Sequence, residues 1–542
     1  MKFFHCYSDE LWDGYVKNGF LRYPFGIRFC QAIGLEESQK FNNLARIGGK
    51  LHGILKEHRC DFYVDRLQGG DYIENYQYDE SLISEYQALL ADGFLGFQMH
   101  EWLSNHVNDV HVKLGELPEE MWCAEEIEKE ILRRYPFPYL FIESMTPEEM
   151  AAAGKPHSYS ELYKNMTDIY KKRLKSHKKL LACDSGCIMY PFEARTGATV
   201  IMPEVGAQIP DMRLEMCFAR GVCHAYGITL GAYYEPWGGE PFSACSYHEG
   251  DKNEWNIGGA DFPFATAGEN GGSSRSLQFR TYLYALISGA QMISEEWGGY
   301  NTFLSCDGYR LSEYGQVKLR FLEFADKYSD IGEKLSPVAA VMPSDLICYE
   351  ISPKEDTLLG FPLEGEEKEK MRLLRRRVNE IFRLATETPG NKLETETFKN
   401  YIIPDAVDML NDTDTGALDR FEYLIDLTGD AEFSTRHGNV IETDELQEVL
   451  ERLLPVKVEG GLHHVINRRS GGGYYLTVFN HSGIERSVKG GEATLPDTER
   501  TVSVTLRDGG SLTHLEGDAT LTEQAGTYSL TVAPGSFFFG SF

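Results

Sequence analysis

Eight short apolar runs, separated by amphipathic segments, fill most of the first 335 residues and constrain the fold more than any other feature. They lie at 25–33, 60–67, 94–102, 138–144, 179–186, 198–206, 228–237 and 290–298. Near-continuous apolar strands that alternate with helical patterns are typical of parallel sheets, which are covered on both faces. Eight strand–helix units over roughly 300 residues predict an α/β fold of the (β/α)8 TIM-barrel type.

A doubly wound open sheet is the structural alternative to a barrel. That fold usually carries a Gly-rich phosphate-binding loop after its first strand. The sequence has no such loop after 25–33. The barrel is therefore the prediction.

The pattern changes after residue 335, which predicts further domains. Segments 337–345 and 421–430 have the character of strands in a small α/β unit, and they flank the basic helical run 366–388. Acidic residues interleave that run, which is typical of a solvated helix face rather than a nucleic-acid patch. From 455 onward, short alternating strands and turns predict an antiparallel β-sandwich. We thus predict three domains, 1–335, 336–454 and 455–542.

Composition excludes some partners. The chain has 83 acidic and 53 basic residues, a net charge of −30. Such a surface repels phosphate backbones and anionic membranes, so we expect no nucleic-acid and no membrane partner. The N-terminus has no apolar signal-peptide core, and the eleven cysteines lack a framework spacing. Both features predict a cytoplasmic protein with reduced thiols.

Polar residues stand where the predicted strands end, and active sites of barrels lie at the C-terminal ends of their strands. Most of these residues are carboxylates, and burying a lone carboxylate is costly unless it has a partner, a ligand or water. The pattern predicts a site at this end of the barrel. The strand-end residues are Arg28, Asp65, His100 with Glu101, Glu143, Asp184, Glu204, Glu235, and Glu295 with Glu296.

Several glutamates with neighbouring tryptophans suit glycoside hydrolysis. That reaction needs one carboxyl group as proton donor and a second as nucleophile, or as base to a water. Repulsion between the two groups helps to keep one protonated near neutral pH. The indoles of Trp237 and Trp297 follow Glu235 and Glu296 closely and could stack on a sugar, with core packing as the alternative.

These considerations give a set of candidate residues. Because Glu295 and Glu296 are adjacent on a strand, only one of them can face the site. Candidate catalytic residues are Glu235, Glu204, Glu296 and Glu143. Candidate substrate-binding residues are Asp65, His100, Glu101, Asp184, Trp237, Glu295 and Trp297.

No metal or cofactor is expected, because the sequence has no His-x-His on its first strand and no HExxH motif. Two other functions stay open. One is a metal-assisted sugar hydrolase or deacetylase on a barrel. The other is a non-catalytic carbohydrate-binding barrel protein.

The order of the segments resembles a known family. A barrel with strand-end glutamates, a unit with "PVAAVMPSD" (337–345) and "FEYLIDLTG" (421–429), and a short sandwich are similar to the three-domain family 42 β-galactosidases of glycoside hydrolase clan A. The likeness covers the domain order over nearly the whole chain and is not a motif match. In that clan the acid/base follows strand four, usually after Asn, and the nucleophile follows strand seven. The resemblance implies Glu235 as nucleophile and Glu143 as acid/base, with Ile142 in place of the Asn.

The resemblance also implies a flavodoxin-like middle domain and a homo-oligomer. The long segments 103–121 and 238–274 indicate a pocket rather than an open groove. We therefore expect an exo-acting glycoside hydrolase that trims oligosaccharides, with a β-galactoside or related hexoside as substrate.

Overall fold

The computed structural model describes most of the chain. The described residues are 1–30, 36–65, 78–100, 114–134, 145–184, 187–206, 212–235, 242, 273–296, 298–304, 308–344, 349–350, 357–358, 360–382, 402–487 and 491–542. They divide into two compact units. The N-terminal unit comprises Lys2–Pro203 and Ile347–Glu369, and the C-terminal unit comprises Met1, Glu204–Leu346 and Lys370–Phe542.

The strands, in chain order, are β1 (Lys2–Cys6), β2 (Phe25–Phe29), β3 (Asp61–Val64), β4 (Phe94–His100), β5 (Leu180–Cys183), β6 (Cys187–Ile188), β7 (Val200–Ile201), β8 (Glu204–Val205), β9 (Thr229–Tyr234), β10 (Met292–Glu295), β11 (Glu333–Lys334), β12 (Val338–Met342), β13 (Tyr349–Glu350), β14 (Thr357–Leu358), β15 (Phe361–Pro362), β16 (Val407–Asn411), β17 (Tyr423–Asp426), β18 (Val440–Ile441), β19 (Val456–Glu459), β20 (His463–Arg468), β21 (Tyr474–Phe479), β22 (Ile484–Ser487), β23 (Gly491–Thr494), β24 (Arg500–Leu506), β25 (Thr513–Glu516), β26 (Ala519–Gln524), β27 (Thr527–Val532) and β28 (Phe537–Ser541).

The α-helices are α1 (Asp9–Lys17), α2 (Phe41–Leu44), α3 (Lys50–His58), α4 (Glu80–Leu90), α5 (Ala124–Arg134), α6 (Pro147–Ala153), α7 (Tyr159–His177), α8 (Tyr190–Thr196), α9 (Met212–Tyr226), α10 (Arg275–Ile287), α11 (Gly298–Thr302), α12 (Glu313–Lys327), α13 (Gly365–Phe382), α14 (Ile403–Ala406), α15 (Thr415–Leu418), α16 (Phe433–Arg436) and α17 (Leu446–Leu453). Among these described helices, none combines the length and the apolar character that crossing a bilayer requires.

The main sheet is a closed barrel of parallel strands. Its order is β10-β1-β2-β3-β4-β5-β7-β9-β8, with a further pairing between β9 and β10. Seven pairings within the two units are all parallel. The segment predicted at 198–206 forms the two short strands β7 and β8, which occupy one barrel position between them. Eight positions with intervening helices confirm the predicted (β/α)8 barrel.

The predicted numbering of the strands was wrong in its first half. The prediction does not include β1 and counts 138–144 as the fourth strand. In the structure β4 pairs directly with β5, with Phe97 opposite Leu180 and His100 opposite Cys183. The fourth strand is therefore Phe94–His100. Segment 138–144 lies outside the described residues, so the strand predicted there stays a prediction.

The C-terminal unit contains three further sheets that bear on the domain predictions. A parallel sheet has the order β16-β12-β17-β18, and two antiparallel sheets have the orders β11-β20-β21-β28-β25 and β19-β24-β27-β26. The antiparallel sheets confirm the predicted character of the C-terminal region. The flavodoxin-like assignment and the boundaries at 335 and 454 stay predictions.

A buried ionic cluster joins distant parts of the C-terminal unit at Asp405. Its Oδ2 accepts hydrogen bonds from Arg213 at 2.6 and 2.9 Å and lies 2.9 Å from Nε2 of His463. Its Oδ1 accepts from Lys334 at 2.6 Å and from Tyr284 at 2.9 Å. Burial alone would raise the pKa of Asp405, but Arg213 and Lys334 hold it well below its usual range. Burial also lowers the pKa of His463 to about 3, so its ring is neutral at pH 7.

Candidate active site

The ends of three neighbouring strands, β8, β9 and β10, define one candidate site within the C-terminal unit. Glu204 pairs with Tyr233, and Tyr233 pairs with Ser294 on the other side. One residue further, Tyr234 lies opposite Glu295. Side chains of paired residues point to the same face of a sheet, and successive residues alternate. The register therefore shows toward which face of the sheet each glutamate side chain points.

The ladder continues one residue past the strands. The amide of Glu235 donates to the carbonyl of Val205, and the amide of Glu296 donates to the carbonyl of Tyr234, both at 2.9 Å. Glu235 and Glu296 thus form the next row, two residues beyond the row of Glu204. Because successive side chains alternate between the two faces, those of Glu204, Glu235 and Glu296 point to one face of the sheet. The side chain of Glu295 points to the other face.

The contacts of Glu295 show which face that is. Its Oε1 accepts hydrogen bonds from Tyr282 on α10 and from Tyr314 on α12, and Lys318 on α12 pairs with its Oε2. Lys318 also donates to Thr302 at 2.7 Å. Glu295 therefore points toward the helices that cover the barrel, and its carboxylate is held by protein donors.

Burial keeps these donors in their hydrogen-bonding form. Burial, followed by the charge of Glu295, raises the pKa of both Tyr282 and Tyr314 well above the ordinary value. Both hydroxyls stay protonated and donate. Glu295 is only 2% exposed and is held by Tyr282 and Lys318, so it fixes the end of β10. Glu296 is the next residue in the chain.

The three glutamates on the opposite face differ in exposure. Glu204 is fully buried and Glu235 is 6% exposed, while Glu296 is half-buried. Neighbouring strands are about 4.8 Å apart and residues rise about 3.3 Å along each strand. Glu235 and Glu296 are side by side, and Glu204 is one strand away and two residues lower. This is a compact cluster of carboxylates at the end of a parallel sheet.

The N-terminal unit brings other predicted residues together. Arg28 Nη2 donates to Asp65 Oδ2 at 2.5 Å, and both side chains are buried at the ends of β2 and β3. This ion pair fixes Asp65, so its carboxylate is already engaged by a protein cation. Its proposed contact with substrate stays a prediction.

Asp184 has a partner that the sequence analysis missed. It follows β5 and is fully buried, as is Glu193 of α8, with which it interacts electrostatically. Burial, followed by the charge of Asp184, raises the pKa of Glu193 well above its ordinary value. Burial and the same two carboxyl groups also raise the pKa of Tyr170 on α7.

We expect Glu193→Gln to flatten the pH dependence of stability. The folded-state pKa of Glu193 is raised, so its stabilising contribution is fully present below the unfolded-state value of 4.5 and is lost as pH rises through the folded-state value. Glutamine mimics the protonated acid and does not titrate. Melting temperatures from about pH 5 to about pH 9 should fall less steeply than in the wild type. The exposed Glu161→Gln is the control, and equal slopes in wild type and Glu193→Gln would contradict a raised pKa of Glu193.

The remaining candidates lie outside the described residues. These are Glu101, Glu143, Trp237 and Trp297, and for His100 the structure describes only the backbone. Their roles stay predictions. Within the ranges that the structure describes, no group of three or more His, Cys, Asp or Glu side chains has the arrangement of a metal site.

No protein-family model and no curated protein matches the sequence. Three glycosidases are among the solved structures to which the chain is similar. The catalytic module of a family 98 glycoside hydrolase from Streptococcus pneumoniae TIGR4, in complex with the LewisY pentasaccharide, has a TM-score of 0.41 at 8% identity, covering 100% of this chain and 98% of that one.

The other two are similar at comparable levels. An α-L-fucosidase from Paenibacillus thiaminolyticus has a TM-score of 0.38 at 9% identity, with 98% and 89% of the chains covered. An exo-β-1,4-mannosidase from Opitutaceae bacterium strain TAV5 has a TM-score of 0.32 at 12% identity, with 98% and 88% covered. The resemblance to family 42 β-galactosidases stays a prediction, and the activity proposed below rests on the residues of the site.

Proposed function

We propose that the protein is a glycoside hydrolase whose catalytic carboxyl groups lie at the ends of β8, β9 and β10. The observation that supports this most is the shared face of Glu204, Glu235 and Glu296, with Glu295 turned away toward Tyr282 and Lys318. Glycosidic cleavage needs two carboxyl groups of different protonation state close together. Glutamates that share a face on adjacent strands would supply such a pair, since repulsion between neighbouring carboxylates favours a proton on one of them.

Glu235 is the central residue of the proposed site. It lies between the strands of the other two glutamates, and it follows the seventh barrel position, where the resemblance places a nucleophile. As a carboxylate it would attack the anomeric carbon or activate a water. Its low exposure excludes bulk water, which strengthens its electrostatic effect on an oxocarbenium-like transition state.

The partner of Glu235 has two candidates among the described residues of the same unit, Glu296 beside it and Glu204 one strand away. Glu143, which the resemblance implies as acid/base, lies outside the described residues and stays a prediction.

For the substrate we propose a neutral sugar at the end of an oligosaccharide. A β-galactoside or related hexoside is the first candidate for that sugar. The excess of 83 acidic over 53 basic residues supports a neutral rather than a polyanionic substrate. We also propose that the protein acts as a homo-oligomer and needs no cofactor.

A panel of 4-nitrophenyl glycosides tests this function. It includes β-galactoside, other hexosides, sialosides and amino sugars, assayed between about pH 5 and pH 8. We expect one sugar class to release nitrophenolate at a rate that a chelator leaves unchanged. Loss of that activity on chelation would favour a metal-assisted enzyme. If no glycoside is cleaved and no sugar raises the melting temperature, the proposal fails.

A further inference from the structure

The two residues that precede Glu235 and Glu296 lie side by side in the barrel sheet. Tyr234 on β9 is opposite Glu295 on β10. Their side chains point toward the covering helices, away from the face of Glu235 and Glu296. Tyr234 is fully buried and Glu295 is 2% exposed. A contact that holds this row therefore fixes the backbone one residue before each of the two proposed catalytic glutamates.

Tyr282 of α10 contacts both members of that row. Its hydroxyl donates a hydrogen bond to Oε1 of Glu295, and its ring meets that of Tyr234 edge-on, with centroids 4.9 Å apart and planes at 68°. Nε2 of Gln278, one turn earlier on α10, donates to the same hydroxyl at 3.1 Å. The hydroxyl thus donates its proton and accepts another, which fixes the orientation of the side chain. Tyr282 joins the ends of β9 and β10 from the helix side.

The neighbouring helix α12 supports the same contacts. The hydroxyl of Tyr314 lies 3.2 Å from that of Tyr282 and 3.2 Å from Oε1 of Glu295. Lys318 pairs with Oε2 of the same carboxylate. Three protein donors converge on Glu295, so the loss of one leaves the other two in place. Removal of the Tyr282 hydroxyl alone should therefore loosen the row without unfolding the protein.

We propose that Tyr282 is a positioning residue that sets the separation of the carboxyl groups of Glu235 and Glu296. This inference rests on the proposed glycosidase function and takes Glu296 as the partner of Glu235. Glycosidases depend on that separation, which is about 5–5.5 Å for retention and about 6.5–9.5 Å for inversion. Carboxylates on adjacent strands repel each other, so they move apart unless the backbone that carries them is held. The contacts of Tyr282 with the residue before each glutamate supply that restraint.

Tyr282→Phe tests this in the full chain. We expect kcat to fall about ten- to a hundredfold while KM changes by no more than about threefold, because the displaced carboxyl groups act in the transition state. Carboxylates that move apart repel each other less, which lowers the higher of their two pKa values. The alkaline limb of the kcat/KM profile should therefore shift to lower pH. An unchanged kcat with an unchanged pH profile would overturn the inference.

Tyr284→Phe is the matched control. Tyr284 is also a fully buried tyrosine of α10, and its hydroxyl donates to a buried carboxylate, that of Asp405, at 2.9 Å. Loss of this hydroxyl should lower stability without changing kcat or the pH profile. Equal effects of the two variants on kcat would contradict a positioning role of Tyr282.

Hydrogen exchange tests the restraint without a substrate. The amides of Glu235 and Glu296 donate to carbonyls of the neighbouring strands, at the strand ends that Tyr282 holds. In Tyr282→Phe, peptides that contain these two residues should exchange about tenfold faster than in wild type or in Tyr284→Phe. Unchanged exchange would overturn the inference even if a glycoside is cleaved. Faster exchange in a protein that cleaves no glycoside would support the restraint and count against the glycosidase function alone.

Discussion

Glu235→Gln should lower kcat/KM by about a thousandfold or more on the glycoside that the wild type cleaves, with little change in melting temperature. Glutamine keeps the shape and the backbone contact of Glu235 with Val205. It can neither attack as an anion nor accept a proton, so the step that needs the carboxylate is lost. Steady-state kinetics of purified wild type and variant give the ratio, and thermal unfolding checks the fold.

The matched control is Glu313→Gln, which changes an exposed glutamate on α12 of the same unit. It should keep wild-type kinetics. A Glu235→Gln variant with kcat/KM within about threefold of the wild type would remove this residue from the chemistry.

The same kinetics identify the partner of Glu235. Glu204→Gln, Glu296→Gln and Glu143→Gln are compared on substrates with good and poor leaving groups. The variant that lacks the proton donor should keep activity only on the good leaving group, because that group departs without protonation. A nucleophile or base variant should be slow on both.

Asp405→Ala should destabilise the C-terminal unit by about 3–5 kcal/mol. The substitution leaves the buried cations Arg213 and Lys334 without their shared counter-ion. It also leaves Tyr284 and His463 without the acceptor that they contact. Denaturant unfolding at pH 7, followed by fluorescence, measures the loss, and we expect a shifted midpoint or failure to accumulate as folded protein.

Asp430→Ala is the comparison for that experiment. Asp430 pairs with Arg436 at 2.6 Å on the surface of the same unit, where solvent and salt screen the interaction. It should leave the unfolding midpoint nearly unchanged. If Asp405→Ala were as stable as Asp430→Ala, the buried cluster would not hold this unit together.

The local pattern of apolar and polar residues was enough to predict the barrel and many of the polar residues at the ends of its strands. Continuous apolar strands ending in a carboxylate are visible in the sequence, and "ITLGAYYE" gave strand β9 with Glu235 at its end. The short N-terminal strand "KFFHC" carries too little pattern to stand out, whereas the proline-flanked run at 138–144 has the apolar character of a strand. The unpredicted strand β1 makes Phe94–His100 the fourth strand of the barrel, in place of 138–144.

The side-chain contacts needed tertiary structure. Choosing between Glu295 and Glu296 depends on Tyr282 and Lys318, whose approach to β10 no local spacing reveals. Glu193 sits inside a short helix nine residues after Asp184, and only the fold buries the two carboxyl groups together. Arg213 and Asp405 are 192 residues apart in the chain, although their pairing dominates the ionic core.

Mass analysis of products from an oligosaccharide pool tests the central claim most directly. Wild type and Glu235→Gln are incubated with the same pool, and the remaining chains and released small molecules are identified. We predict that the wild type shortens chains by one sugar at a time and releases that monosaccharide, while Glu235→Gln leaves the pool intact. Release of acetate from chains of unchanged length, or the same digestion by both proteins, would contradict a glycosidase that acts through Glu235.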